Sequence, residues 1–268
     1  MNRAGPDAPI GMFDSGVGGL SILAQVRLQH PAESIHYLAD QAWAPYGDRS
    51  LESVRERSLA IVAHLLDAGA KAIVVACNTA SAAALHQLRA AIPGVPFVGM
   101  EPAVKPAAEQ TRGGVVGVMA TSATFQGELY ASVVDRHANA VTVVERAGRG
   151  LVEMIEAGDL EGPAIEAAVA THLAPLMEAG VDTVVLGCTH YPFIGGVIRR
   201  LLGEGVRLID PAPAVARQVG RVLSANGMAA HSGQGGVVYR TTGDAERFNR
   251  QIGHLLGEPT PDAATIVI

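Results

Sequence analysis

The chain holds two cysteines, and they occupy matching places. Cys77 closes the apolar run AIVVAC (72–77) and precedes Asn78 and Thr79. Cys188 closes TVVLGC (183–188) and precedes Thr189 and His190. The segments AGAKAIVVACNT (68–79) and AGVDTVVLGCTH (179–190) align with both cysteines in register. A single free cysteine is usually a small buried hydrophobe. A pair repeated in register beside an amide, hydroxyls and an imidazole points instead to shared chemistry. A redox disulfide is one reading, but no C-x-x-C supports it. A metal site needs three or four ligands, which Cys188 and His190 do not supply. Two-base proton transfer at a stereocentre is the third reading: one thiol group takes a Cα proton, the other returns one to the opposite face, and exchanging roles reverses the reaction. A thiol of pKa about 8.5, lowered by helix N-termini or polar neighbours, suits that task.

Two thiols can face one ligand only if the chain builds two similar frames around it. Short, β-branched runs at 8–14, 34–40, 71–77, 95–100, 114–120, 140–146, 182–188 and 206–210 read as strands. Helical patterns at 50–69, 79–91, 122–137, 161–179 and 193–203 lie between them. The alternation predicts an α/β fold with mainly parallel sheets, whose strands, covered on both faces, read as unbroken apolar runs. A second, looser repeat aligns IGMFDSG (10–16) with VGVMATS (116–122). The expectation is two similar, pseudo-symmetric α/β domains with the active site in the cleft between them. Ligands of parallel sheets sit beyond the carboxyl ends of the strands, where Asp14, Ser15, Asp40, Cys77, Thr121 and Cys188 fall. The predicted division is 1–97 plus 210–268 for the first domain and 98–209 for the second. Within the first, 210–227 is a returning helix, 235–244 a further strand, 245–256 a closing helix, and 259–268 carries an edge strand.

Composition narrows the function classes. The 268 residues are 49% hydrophobic and 17% charged, a globular balance with ample core. A net charge of −6 without a basic patch argues against nucleic acid as partner. No apolar run is long enough for a membrane span, and MNRAGPDAPIGMF lacks the apolar stretch of a signal peptide. Two cysteines make no disulfide framework, so a reducing cytoplasm is the expected compartment.

Five motifs carry a family resemblance: FDSGVGGLS (13–21), YLADQAWAPYGDRS (37–50), ACNTASA (76–82), GVMATSATF (117–125) and GCTHYPF (187–193). They occur in family order across most of the chain, which resembles the glutamate racemases of the aspartate/glutamate racemase superfamily, cofactor-independent enzymes that supply D-glutamate for peptidoglycan. The resemblance implies Cys77 and Cys188 as the two bases, the former acting on D-glutamate and the latter on L-glutamate. It implies Asp14, Asp40 and His190 as helpers that tune the thiols. Asp14, Ser15, Tyr46, Gly47, Asn78, Thr79, Thr121, Thr189 and His190 would hold the substrate. It also implies a homodimer. Ala39, Gln41, Trp43 and Val118 depart from the family's usual residues without removing a catalytic group.

The residues themselves fit a small dicarboxylate. Ser15, Asn78, Thr79, Thr121 and Thr189 follow strands where helices begin, so side chains and backbone N–H groups can bind carboxylate together. Plain helix N-capping by Ser15, Asn78, Thr79 and Thr189 explains the same pattern. Asp14 is a plausible ammonium partner, and APYGD (44–48) reads as a turn able to cover the ligand. Three other readings stand beside this one: a related isomerase such as an aspartate racemase, since one methylene discriminates weakly; a binding protein without chemistry; and an oxidoreductase. The last rests on SGVGGLS (15–21), which opens a helix as a dinucleotide loop does but lacks the third glycine of G-x-G-x-x-G. A pyridoxal mechanism needs a Schiff-base lysine; Lys71 opens a strand, away from the cleft, and Lys105 lies between prolines. No cofactor or metal is therefore expected.

Overall fold

A computed structural model describes residues 5–138, 140–231, 233–259 and 261–268. The first four residues of the segment read above against a signal peptide lie outside it. The strands are β1 (Ile10–Asp14), β2 (Ile35–Ala39), β3 (Ala72–Val75), β4 (Phe97–Gly99), β5 (Val115–Ala120), β6 (Thr142–Ala147), β7 (Thr183–Gly187), β8 (Arg207–Ile209), β9 (Val237–Thr241) and β10 (Ala263–Thr265). They form a six-stranded sheet ordered β10-β9-β2-β1-β3-β4 and a four-stranded sheet ordered β6-β5-β7-β8. Every pairing is parallel. The core of the first sheet, β2-β1-β3-β4, has the same order as the whole of the second, with β1 matching β5 and β3 matching β7. The sequence repeat is thus a repeat of topology, and β10 is the edge strand expected of the tail.

The helices are α1 (Leu20–Gln29), α2 (Leu51–Asp67), α3 (Asn78–Ala91), α4 (Val104–Gln110), α5 (Ser122–Gln126), α6 (Glu128–His137), α7 (Leu151–Ala157), α8 (Pro163–Glu178), α9 (Gly195–Leu202), α10 (Ala212–Ala225) and α11 (Ala245–Leu256). They cover both faces of each sheet. On the first, Ile10 and Met12 of β1 pack with Leu20 of α1, Val219 of α10 and Phe248 of α11, while Phe13 points the other way into a cluster with Ile61 of α2 and Leu88 of α3. This is the alternation a strand imposes. On the second, Met119 faces Ile155 of α7 and Leu173 of α8, and Val118 faces Val104 of α4 and Val133 of α6. Each such side chain contributes about 1.5–3 kcal/mol on full burial, so the four clusters fix where the strand ends lie.

Two helices, α4 and α7, lie outside the helical stretches predicted from sequence, and α1 is the helix that SGVGGLS was read to open. The single helix predicted over 122–137 is two, α5 and α6, broken at Gly127. A Cβ there would come within 2.5 Å of the Ala82 side chain on α3, so the break is where the two halves of the chain meet closely. The helix predicted from 193 begins as a 3₁₀ turn, Tyr191–Ile194, before α9. Among the described residues, no helix is long and apolar enough to cross a membrane.

Candidate active site

A cavity of ≈ 210 Å³ opens between the carboxyl ends of the two sheets. From the first half it is lined by Ser15, Tyr46, Gly47, Cys77, Asn78 and Thr79, and from the second by Thr121, Cys188, Thr189 and His190. The structure therefore gathers ten of the twelve residues named from sequence on one lining. Asp14 lies just behind that lining, fully buried, taking hydrogen bonds from the Ser15 N–H (2.5 Å) and the Thr189 hydroxyl (3.0 Å). Asp40 is also fully buried and off the lining. Its oxygens accept from the Tyr46 hydroxyl, Arg57 and the Thr242 hydroxyl, and neither cysteine is among its partners. The expectation that Asp40 tunes a thiol directly thus differs from its place, because β2 ends one strand away from β3.

The two cysteines share a position and differ in company. Cys77 is the N-cap of α3, its Sγ accepting from the Ala80 N–H at 3.5 Å and lying 4.0 Å from the Ser15 hydroxyl. The cap is the thiol itself, with Asn78 and Thr79 already in the first turn. Burial pushes the Cys77 thiol well above its usual range, and the nearby Asp14 charge pushes the same way, outweighing the Ala80 bond. Burial likewise raises the Asp14 carboxyl, against the opposing pull of His190 and of its hydrogen bonds. These surroundings favour the protonated thiol at Cys77.

Cys188 follows β7, and its Sγ lies 3.7 Å from His190 Nδ1. The other ring nitrogen, Nε2, is 2.8 Å from Glu156 Oε1. Burial alone would depress the imidazole, but the bonds to Cys188 and Glu156 outweigh it and hold His190 well above the ordinary histidine range. Burial alone would raise Glu156; its bonds with His190, the Val17 N–H and Gln41 bring it below the ordinary carboxylate range instead. The result is a buried imidazolium–carboxylate pair beside the second thiol. Glu156 sits in α7 and was not foreseen; within LVEMIEA nothing distinguishes it from a solvated helix residue.

The glycine run has a use other than a phosphate. A methyl group on Gly16 would overlap the Glu156 carboxylate, and one on Gly18 would overlap the His190 ring and the Thr189 hydroxyl. The run gives second-half side chains room to reach the first-half backbone, which removes the sequence argument for a dinucleotide. Polar groups line the cavity nearby. Both polar atoms of Asn78 are buried without a hydrogen-bond partner, although its amide lines the cavity. The hydroxyls of Thr79, Thr121 and Thr124 form a cross-half triangle with edges of 2.9, 2.9 and 3.4 Å. Neither lysine is present: Lys71 Nζ pairs with Glu33 at 2.5 Å, and Lys105 lies near Glu109 on the surface. Among the described residues there is no group of three or more His, Cys, Asp or Glu side chains placed to hold a metal. The lining can move protons to and from both sides of a small polar anion.

Comparison with known proteins finds close relatives of the chain. The sequence pattern of the Asp/Glu/Hydantoin racemase family matches residues 20–219. A glutamate racemase of Roseiflexus sp. is 49% identical over 262 residues, covering 97% of this chain and 96% of the relative. The crystal structure of glutamate racemase isoform RacE1 from Bacillus anthracis superposes with a TM-score of 0.91 at 32% identity, over 97% of this chain and 98% of that one. Escherichia coli glutamate racemase, in complex with L-glutamate and the activator UDP-MurNAc-Ala, does so with a TM-score of 0.83 at 32% identity, over 96% and 97%.

Proposed function

Since the chain belongs to the glutamate racemase family, within the Asp/Glu/hydantoin racemases, we propose that it interconverts L- and D-glutamate by two-base proton transfer between Cys77 and Cys188. The observation that carries this mechanism is the placing of one thiol from each half of a repeated fold on a single cavity. In one direction a Cys188 thiolate takes the Cα proton and becomes a thiol, while the Cys77 thiol gives its proton to the opposite face and becomes a thiolate. The reverse direction exchanges the roles, so atoms and charge balance in each turnover. The His190 imidazolium faces Cys188 Sγ and stabilises negative charge there; Asp14 favours the protonated form of Cys77.

Substrate carboxylates would take the unpaired Asn78 amide, the Thr79, Thr121 and Thr189 hydroxyls and the N-terminus of α3, groups that bind anions without a full charge. Ser15, Tyr46 and Gly47 complete the enclosure. Asp14 acts from behind this lining, through Ser15, Thr189 and the Cys77 thiol. The reaction needs no pyridoxal phosphate and no metal. The product would feed peptidoglycan synthesis in the cytoplasm, and the enzyme would work as a homodimer. We divide the chain into 1–97 plus 210–268 and 98–209; the membership of β9 and β10 in the first sheet and the packing of α10 on α1 support giving 210–268 to the first domain, while β4 (Phe97–Gly99), also in that sheet, carries the first boundary to the end of the strand.

The test is made on Cys77→Ser and Cys188→Ser. Circular dichroism of L- and D-glutamate, with no cofactor added, should show racemisation by the parent protein and a loss of orders of magnitude in either variant. With a glutamate analogue bearing chloride on the β carbon, only one deprotonation is needed, so each variant should still release chloride from one enantiomer, and the two should prefer opposite ones. Preference of both for the same enantiomer, or normal racemisation by Cys188→Ser, defeats the two-base reading.

A further inference from the structure

We propose that Arg57 is a positioning residue of the active site: through Asp40 it holds Tyr46 and the loop 43–49 in place at the cavity rim. The inference rests on the glutamate racemase reading and adds a residue that no cavity contact would identify. Arg57 belongs to α2, is buried, and spends its planar guanidinium on three partners at once. Nε and Nη2 bind the two oxygens of Asp40 at 2.8 and 2.6 Å, a bidentate pair. Nη1 donates to the backbone oxygen of Ile268 at 2.6 Å, and the guanidinium carbon lies 5.1 Å from the centre of the Trp43 ring. Trp43 begins the rim loop. It is also within reach of Arg49, whose Nε donates to the Trp43 carbonyl at 2.6 Å and whose guanidinium carbon lies 4.7 Å from the ring centre.

Asp40 passes the restraint on. Oδ2 accepts from Arg57 and also from the Tyr46 hydroxyl at 2.6 Å; Oδ1 accepts from Arg57 and from the Thr242 hydroxyl at 2.7 Å. The carboxylate is saturated, so its direction is fixed, and with it the ring of Tyr46, which lines the cavity. The next residue, Gly47, approaches the second half so closely that a Cβ would stand 3.0 Å from the Thr121 side chain. A small shift of this loop therefore changes the cavity wall on both sides. Only a guanidinium supplies a bidentate face, a third donor and a flat surface for an indole together; an ammonium has donors but no plane.

The experiment compares Arg57→Lys and Tyr46→Phe, alone and combined, with the parent enzyme, using steady-state racemisation of both enantiomers at a temperature where all remain folded. Loss of the restraint should raise KM for glutamate by about tenfold or more. The Tyr46→Phe change should act in the same direction, and the double variant should be clearly less than multiplicative, since both cut one chain of contacts. Added guanidinium ion at low millimolar concentration should restore part of KM in Arg57→Ala, where the Asp40 carboxylate still offers its two oxygens, and not in Arg57→Ala/Asp40→Asn, where an amide replaces them. The pH profile of kcat and the enantiomer preference in β-chloride elimination should stay as in the parent, since neither thiol is hydrogen-bonded to Arg57, Asp40 or Tyr46. A lowered melting temperature with unchanged KM and kcat shows a merely structural residue and overturns the proposal, as does a shifted pH profile, which assigns the pair to thiol tuning. A parent enzyme that fails to racemise glutamate overturns the underlying reading instead.

Discussion

Replacing Glu156 by Gln separates the two thiols by their chemistry. Glutamine keeps the length of the side chain, still accepts from the Val17 N–H, and still meets His190 Nε2. It removes only the negative charge 2.8 Å from a buried ring. A hydrogen bond to a charged partner contributes roughly 1.5–3 kcal/mol and a neutral one about 0.5–1.5, so the imidazolium loses on the order of 1–2 kcal/mol. At 1.36 kcal/mol per factor of ten, charge developing on Cys188 should cost about 5- to 30-fold in rate. The Cys77 side, supported by Asp14 and Ser15, should change little. Racemisation hides this asymmetry, because an equilibrium constant of one forces kcat/KM to fall equally in both directions. Chloride release from the two enantiomers of a β-chloro analogue exposes it: the enantiomer served by Cys188 should slow by that factor, the other by less than about threefold. The sign with pH follows. Bonds to Cys188 and Glu156 raise His190 above its ordinary value, so the wild-type imidazolium persists above the usual histidine range. Without the carboxylate, the pH at which the slower limb begins moves down. Equal slowing of both enantiomers, or none, refutes the assignment of Glu156 to the Cys188 side.

Asp14→Asn should trade activity for stability. Burial holds the Asp14 carboxyl above the usual carboxylate range, so its ionised form opposes folding at neutral pH; the variant should melt higher at pH 7, lose that advantage as the pH falls through the usual carboxylate range, and show a reduced kcat/KM. A variant that is both less stable and fully active shows the carboxylate to be a structural anchor. Gly18→Ala places a methyl group where the His190 ring and the Thr189 hydroxyl lie; displacing the ring by about 1 Å should cost roughly 100-fold in kcat/KM, and wild-type kinetics there would show that the ring tolerates the shift.

What could be read from the sequence follows from how parallel sheets are built. Strands buried on both faces appear as unbroken apolar runs, so β1, β3, β5 and β7 were visible as such, while the more exposed β6 and β8 were legible only from short apolar stretches; the cysteines stood out because each follows a strand at the same place in a repeated sheet order. Most of the cavity-lining polar residues were legible for the same reason: Ser15, Asn78, Thr79, Thr121, Thr189 and His190 follow closely on those strands. Glu156 and Arg57 were not, since each owes its role to a partner far along the chain and to which way its helix faces. In RERS (55–58), two arginines are equivalent by type; Arg55 instead turns to the Ala83 carbonyl, and only Arg57 meets Asp40. The break at Gly127 was missed because the close neighbour that leaves no room for a side chain there, Ala82, lies on a helix of the other half.

Glu156 also has a mechanical consequence. Besides His190, its carboxylate holds the Val17 N–H and Gln41, and its backbone carbonyl accepts from Arg247 and Gln251. It projects from the helix after β6, and all these partners except His190 come from the half built on the six-stranded sheet. The carboxylate that polarises the histidine is thus also a bolt across the cleft. Any parting of the halves must break its bonds with Val17, Gln41, Arg247 and Gln251, whereas His190, on the same half as Glu156, would keep its partner. The bolt resists opening of the cleft, and drawing it leaves the histidine's charge partner in place.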